Sequence, residues 1–218
     1  MTHRKRYYIF DIDGTIKDVV REHTEALERT LKMLNIGIKK TKLILLINDI
    51  AMWFVKTGIL PTNRNMQEAM LRIYSILIKQ SLISFKAKYY NEYCRKNIFF
   101  PKVLRKMKKL KQQGHMVYLI STNLQNITIL EKIDCRFFDK GYIMHKNNIP
   151  KKKLYIDIVI ENSLPKQDMI IIGDNIFDDI IQTQGLGIKV ILANQYNSKL
   201  KRVISKMFFW ENITVKKI

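Results

Sequence analysis

Residues 7–15 read YYIFDIDGT, an apolar run that stops at two carboxylates one residue apart, followed by a glycine and a hydroxyl residue. A strand puts Asp11 and Asp13 on the same side, because side chains alternate with a period of two, so both carboxylates leave its C-terminal end together. Gly14 then permits a sharp turn. Two anions this close repel, and the pair is tolerable where a cation sits between them, where one is protonated, or where both are solvated.

The rest of the chain changes pattern twice. From Asp18 to about Asn97 the periodicity is helical and glycine is scarce: VVREHTEALERTLKML sets Val20, His23, Leu27, Thr30, Leu31 and Leu34 near one face. From Phe99 onward helices alternate with short β-rich runs, at Met116–Ser121, Met169–Ile172 and Lys189–Leu192. Such alternation predicts a parallel sheet with crossover helices, which the Tyr7–Ile12 strand joins from before the helical stretch. The expected division is therefore an α/β core over 1–17 and 99–218, and a helical insert over 18–98.

Composition narrows the setting. A chain of 218 residues with 47% apolar content buries a full core in one or two domains. Its 39 Lys plus Arg against 19 Asp plus Glu, a formal charge of +20, point to anionic ligands or surfaces without naming one. Cys94 and Cys135 form neither a metal-type spacing nor a disulfide framework, which fits a reducing cytoplasm. The apolar stretch Leu43–Val55 is too short to span a bilayer, so no membrane is expected as a partner. The histidines His3, His23, His115 and His145 are scattered, and no ligand role is expected of them. Trp53, Phe54, Met66, Met70 and Tyr74 are expected in the core of the insert rather than in a substrate pocket, with the alternative left open that a few of them face the site. The helix from Lys102 to Gln113 carries six basic residues around a stripe of Val103, Leu104, Met107 and Leu110; a solvated amphipathic helix is the expectation, and a nucleic-acid face the alternative.

In an open parallel sheet ligands bind beyond the carboxyl ends of the strands. Those positions hold Asp11 and Asp13 after the first run, Ser121, Thr122 and Asn123 after MVYLI, and Gly173 and Asp174 after MIII, with Asp178 and Asp179 close behind. One loop between strands carries Lys151, Lys152 and Lys153. Clustered carboxylates make a hard-cation site, hydroxyl and amide groups bind phosphate oxygens, and a lysine neutralises charge on a phosphoryl group.

With DIDGT, LISTN, the lysine run and GDNIFDD in that order, the chain resembles the haloacid dehalogenase superfamily, in particular its phosphatase-like members with a helical cap inserted after the first motif. The resemblance covers the core, while the insert matches only in being helical. It implies a Rossmann-like core and a Mg²⁺ cofactor. Asp11 would be the nucleophile that forms an aspartyl phosphate, and Asp13 would protonate the leaving alcohol and then activate water. Asp11, the main-chain carbonyl of Asp13, and Asp174 would hold the metal, assisted by Asp178 or Asp179, with Asp179 favoured by its distance to Gly187. Thr122 and Asn123 would bind phosphoryl oxygens, with Ser121 competing with Thr122. In the family a proline usually follows the lysine, whereas here Pro150 precedes the run, so the register stays open among Lys151, which is favoured, Lys152 and Lys153.

The implied function is Mg²⁺-dependent hydrolysis of a phosphate monoester of a small metabolite. Two other readings use the same features: a sugar phosphomutase with the same residues, and a non-catalytic protein that holds RNA or another polyanion on its basic surface.

Overall fold

A computed structural model describes residues 4–57, 64–123, 126–143, 151–183, 185–196, 198–199, 203 and 213–216. The chain divides into two compact units, Met1–Lys17 with Phe99–Ile218, and Asp18–Ile98. Two of the four histidines considered above, His3 and His145, lie outside the described residues.

The first unit is built on a parallel sheet of six strands among the described residues, in the order β3-β2-β1-β4-β5-β6. They are β1 (Tyr7–Asp11), β2 (Met116–Ser121), β3 (Lys140–Ile143), β4 (Met169–Gly173), β5 (Lys189–Ala193) and β6 (Ile213–Lys216). The central strands are apolar on both faces because both faces are covered. Ile9, Tyr118, Ile120 and Ile171 point into one layer, with Leu154, Tyr155 and Ile158 of helix α7 (Lys151–Glu161). Phe10, Val117, Leu119, Ile170 and Ile172 point into the other, with Val103, Met107 and Leu110 of helix α5 (Pro101–Gln112) and Ile129 of helix α6 (Ile127–Lys132). The period-two alternation of the strands thus sorts one sequence into two cores. Strands β3 and β6 had no counterpart among the β-rich runs read from the sequence.

Helix α5 explains its own composition. Val103, Met107 and Leu110 are buried at helical spacing, and Lys102, Arg105, Lys106, Lys108 and Lys109 are exposed on the remaining surface. Lys111 instead ties down the β3 approach, with its ammonium 3.0 Å from Asp139 and bonded to the carbonyls of Cys135 and Phe138.

The second unit holds helices α1 (Val19–Met33), α2 (Ile38–Thr57), α3 (Arg64–Ile78) and α4 (Leu82–Tyr93). Asp18 caps α1, its carboxylate accepting from the Arg21 amide at 3.1 Å. The bundle core gathers Leu27, Leu31, Ile44, Leu71, Tyr74, Phe85 and Tyr89. His23 is buried with it, bonded to Tyr89 and Gln67 and stacked on Tyr93. Two aromatic residues expected in this core are not there: Trp53 is 50% exposed and Phe54 37%. The buried side of α2 is set by Ile44, Asn48, Met52 and Val55, which leaves residues 53 and 54 turned outward. Met66, Met70 and Tyr74 line a small cavity with His23, Asn48 and Gln67. No helix among the described residues is long and apolar enough to cross a membrane.

Met107 is completely buried against the sheet. Met107→Ala is expected to lower unfolding free energy by roughly 2–5 kcal/mol, the usual cost of emptying a core methionine site, read as a shift of the urea unfolding midpoint.

Candidate active site

Strand register brings the acidic motifs together. Asp11 closes β1 opposite Ile120 of β2, and Phe10 stands opposite Ile172 of β4, so the Gly173-Asp174 step leaves the sheet beside Asp11. Beyond Asp11 the chain folds back at once: the amides of Ile16 and Lys17 both bond the Ile12 carbonyl at 2.9 Å, and Gly14 turns with φ +75°. The strand therefore ends at Asp11, and Asp13 stands in the turn and faces different partners.

Three buried carboxylates, those of Asp11, Asp174 and Asp179, offer oxygens that all lie within 4.8 Å of one another. Glycines make room for them. A Cβ on Gly14 would overlap the Asp174 carboxylate, and one on Gly173 would overlap Asp179. Lys151, at the start of α7 and itself buried, sets its ammonium 2.8 Å from Asp11 and 2.5 Å from Asp179. Asp179 accepts further bonds from the Tyr155 hydroxyl at 3.1 Å and the Asn175 amide at 3.0 Å. Asn175 in turn caps the short helical turn Ile176–Ile180, accepting from the amides of Phe177 and Asp178.

The Lys151 ammonium pairs with two of the three carboxylates, Asp11 and Asp179. Burial, together with Asp179 and Asp174 and against the pull of Lys151, holds the Asp11 carboxyl well above the ordinary carboxylate range. Burial alone would lower Lys151, but Asp11 and Asp179 outweigh it and keep the ammonium well above the ordinary lysine value.

The other half of the site surrounds Asp13. Its Oδ2 accepts from Asn126 Nδ2 at 2.9 Å and Asn123 Nδ2 at 3.2 Å, and its Oδ1 lies 3.8 Å from Lys17 Nζ. Ser121 Oγ joins this network, accepting from Asn126 Nδ2 at 2.8 Å and the Asn123 amide at 3.0 Å.

The sequence-derived candidates separate accordingly. Asp11, Lys151, Asp174 and Asp179 converge, and Asp13 meets Asn123. Asp178 is half-buried beside this group, bonded to Gln182 at 3.2 Å, and burial raises its carboxyl. Lys152 and Lys153 are exposed, and Lys152 touches Gln182 only through its backbone amide. Of the two hydroxyls, Ser121 is buried in the Asp13 network while Thr122 is exposed and outside it.

A family model described as haloacid dehalogenase-like hydrolase matches residues 8–193. The chain belongs to the haloacid dehalogenase-like hydrolase family. No curated protein matches it in sequence. Among solved structures, it is similar to the HAD-hydrolase assigned as YfnB from Bacillus subtilis, bound to magnesium, at 20% identity over 88% of this chain and 90% of that one, TM-score 0.63. It is similar also to a Clostridium difficile protein assigned as a phosphatase, at 16% identity over 100% and 96%, TM-score 0.67. A third is a Thermotoga maritima protein assigned as a beta-phosphoglucomutase, at 17% over 86% and 85%, TM-score 0.64. At these identities the likeness is one of fold.

Within this haloacid dehalogenase-like site, four residues had not been picked out from the sequence. Lys17 follows Asp13 by four and Tyr155 follows Lys151 by four on one helix face. Asn175 lies inside GDNIFDD, and Asn126 follows Asn123 by three. The spacing of Tyr155 from Lys151 is a readable signal, since i and i+4 share a helix face. The turn after Asp11 and the 123–126 turn carry no such periodicity.

Two outcomes follow from the charge balance. Lys151→Gln, which strands Asp11 and Asp179 in a buried site, is expected to cost roughly 3–5 kcal/mol, whereas exposed Lys152→Gln should stay within about 0.5 kcal/mol; chemical denaturation of both variants checks this. A carboxyl raised in the folded state contributes stability below its unfolded value and loses it as pH rises through the folded value. In chelator, wild-type melting temperature should therefore fall with rising pH over that window, and Asp11→Asn should flatten the fall and melt higher at neutral pH.

Proposed function

We propose that this chain is a Mg²⁺-dependent phosphatase that hydrolyses a phosphate monoester of a small metabolite through an aspartyl-phosphate intermediate. The observation that carries this reading is the trio of buried carboxylates whose oxygens converge, with the Lys151 ammonium on two of them. That donor set fits a small divalent cation: it is all oxygen, its three carboxylates converge, and burial together with Asp179 and Asp174 holds Asp11 above its ordinary range. Asp11 and Asp174, with the main-chain carbonyl of Asp13, are the residues that would hold Mg²⁺. When bound, it would neutralise charge on the phosphoryl oxygens and on Asp11.

Asp11, at the strand end, attacks phosphorus as the ester bond breaks, and the proton for the departing alkoxide comes from Asp13. Asp13 then takes a proton from the water that releases phosphate and regenerates Asp11. Lys151 keeps Asp11 oriented and adds positive charge where the phosphoryl group sits. Asp179, bonded by Lys151, Tyr155 and Asn175, fixes that lysine, and its Oδ2, with a single donor on it, can still assist the metal. Asn123 and a hydroxyl of the 121–122 step, with Thr122 the exposed one, complete the phosphate side.

A sugar phosphomutase runs on the same acid pair and differs in the group that receives the phosphoryl. The likeness to the Thermotoga maritima protein assigned as a beta-phosphoglucomutase keeps this as the second reading.

The test is phosphate release from sugar phosphates, nucleotides, phosphoglycolate and 4-nitrophenyl phosphate, with and without Mg²⁺. Wild type should release phosphate only with the metal, and Asp11→Asn should fall to background. Asp174→Ala should need at least about tenfold more Mg²⁺ for half-maximal rate. Interconversion of a sugar monophosphate without free phosphate would establish the mutase instead, and a variant at position 11 with wild-type turnover would sink both.

A further inference from the structure

Asn126 has none of its surface exposed, yet it lies beside the turn that opens α6, and its amide proton donors point into the site. Its nitrogen donates to Asp13 Oδ2 at 2.9 Å and to Ser121 Oγ at 2.8 Å. An amide nitrogen carries two protons, so this one is fully used. Its carbonyl oxygen is buried without a hydrogen-bond partner among the described residues, so the side chain forgoes an acceptor contact to keep both protons where they are. The reversed amide would set that oxygen against the Asp13 carboxylate, oxygen against oxygen, which fixes the orientation. Asn123 Nδ2 reaches the same Oδ2 at 3.2 Å, and the Asn126 backbone amide bonds the Asn123 carbonyl at 3.0 Å, so both asparagines belong to one turn.

The consequence falls on Asp13. Oδ2 has two lone-pair directions, and two N–H groups occupy them. Oδ1 is buried, makes no hydrogen bond among the described residues, and has the Lys17 ammonium 3.8 Å away. The geometry assigns Asn126 as the positioning residue of Asp13: one proton of its amide holds Asp13 Oδ2 and the other holds Ser121 Oγ, which fixes where the Asp13 carboxyl stands. This assignment rests on the phosphatase reading. In the first step the bond from Asp11 to phosphorus forms, the ester P–O bond breaks, and the proton on the Asp13 carboxyl passes to the ester oxygen. In the second, water oxygen bonds to phosphorus, a water proton returns to the Asp13 carboxylate, and the bond to Asp11 breaks.

A residue that only holds the turn together would slow every substrate alike, whereas one that aims the acid matters most where the leaving group needs a proton. The experiment compares kcat/KM for benzyl, phenyl and 4-nitrophenyl phosphate in wild type, Asp13→Asn, Asn126→Ala, Asn126→Asp and Asn126→Ser. This ratio reports the first step alone, before phosphate release from Asp11. Both Asn126→Ala and the isosteric Asn126→Asp should lose about tenfold or more with benzyl phosphate and less than about threefold with 4-nitrophenyl phosphate, the trend of Asp13→Asn in weaker form. Asn126→Ser, which keeps one donor, should recover part of the loss. Thermal melting confirms folding, and if the alanine variant does not fold, the isosteric variant carries the measurement. An equal loss across the three esters, or no loss, overturns the assignment while leaving the phosphatase reading intact. No turnover of any ester by wild type removes the phosphatase reading and this assignment with it.

Discussion

The ammonium of Lys151 ties together two of the three carboxylates gathered at the strand ends, and the site of the core unit is built around that contact. Its side chain is buried between Asp11 of β1 and Asp179 of the turn after β4, so a single ion contact joins the first strand to a segment more than 160 residues later. Tyr155, one helical turn further along α7, closes the same contact from below. The sheet supplies the rest. Because β1 sits between β2 and β4, the residues that follow all three strands open onto one edge. Charge density of this kind is tolerable only where the backbone holds the carboxylates in place, and here two glycines and the Asn175 cap do so.

Much of this was legible in the sequence for a physical reason: parallel strands buried on both faces are apolar runs, and their ends are where polarity returns. The strands at Tyr7, Met116, Met169 and Lys189 stand out for that reason, and so do Asp11, Asn123, Lys151, Asp174 and Asp179 behind or near them. β3, with Lys140 and Gly141 in four residues, has too little apolar content to stand out, and β6 is a four-residue strand at the edge of the sheet among the described residues. The ambiguity among three consecutive lysines could not be resolved by composition. On α7 Lys151 alone of the three turns its side chain toward the strand ends, where its ammonium meets Asp11 and Asp179. Trp53 and Phe54 misled because large aromatic residues usually lie inside; the face of α2 that packs is set by Ile44, Asn48, Met52 and Val55 instead.

The two acids of the first motif live in opposite surroundings although one residue separates them. Asp11 shares a buried space with other carboxylates and one lysine. Asp13 is ringed by donors, two amides on one oxygen and an ammonium near the other. A strand carried two residues further would have aimed both at the same partners. The turn at Ile12–Lys17, made of main-chain bonds to the Ile12 carbonyl, is what separates them. The different surroundings of two identical side chains therefore originate in the backbone, before any neighbouring residue acts.

The packing of Gly14 on Asp174 and of Gly173 on Asp179 also restricts how this chain can drift in sequence. A side chain at position 14 or 173 occupies space that a carboxylate already fills. That carboxylate cannot retreat without unseating the lysine or its acidic neighbour. The four positions are thus linked as two locks that share a key: single steps away from either glycine lead downhill in stability, and a workable alternative requires several replacements made at once. For anyone seeking new substrates from this scaffold, the productive changes lie elsewhere than the strand-end turns.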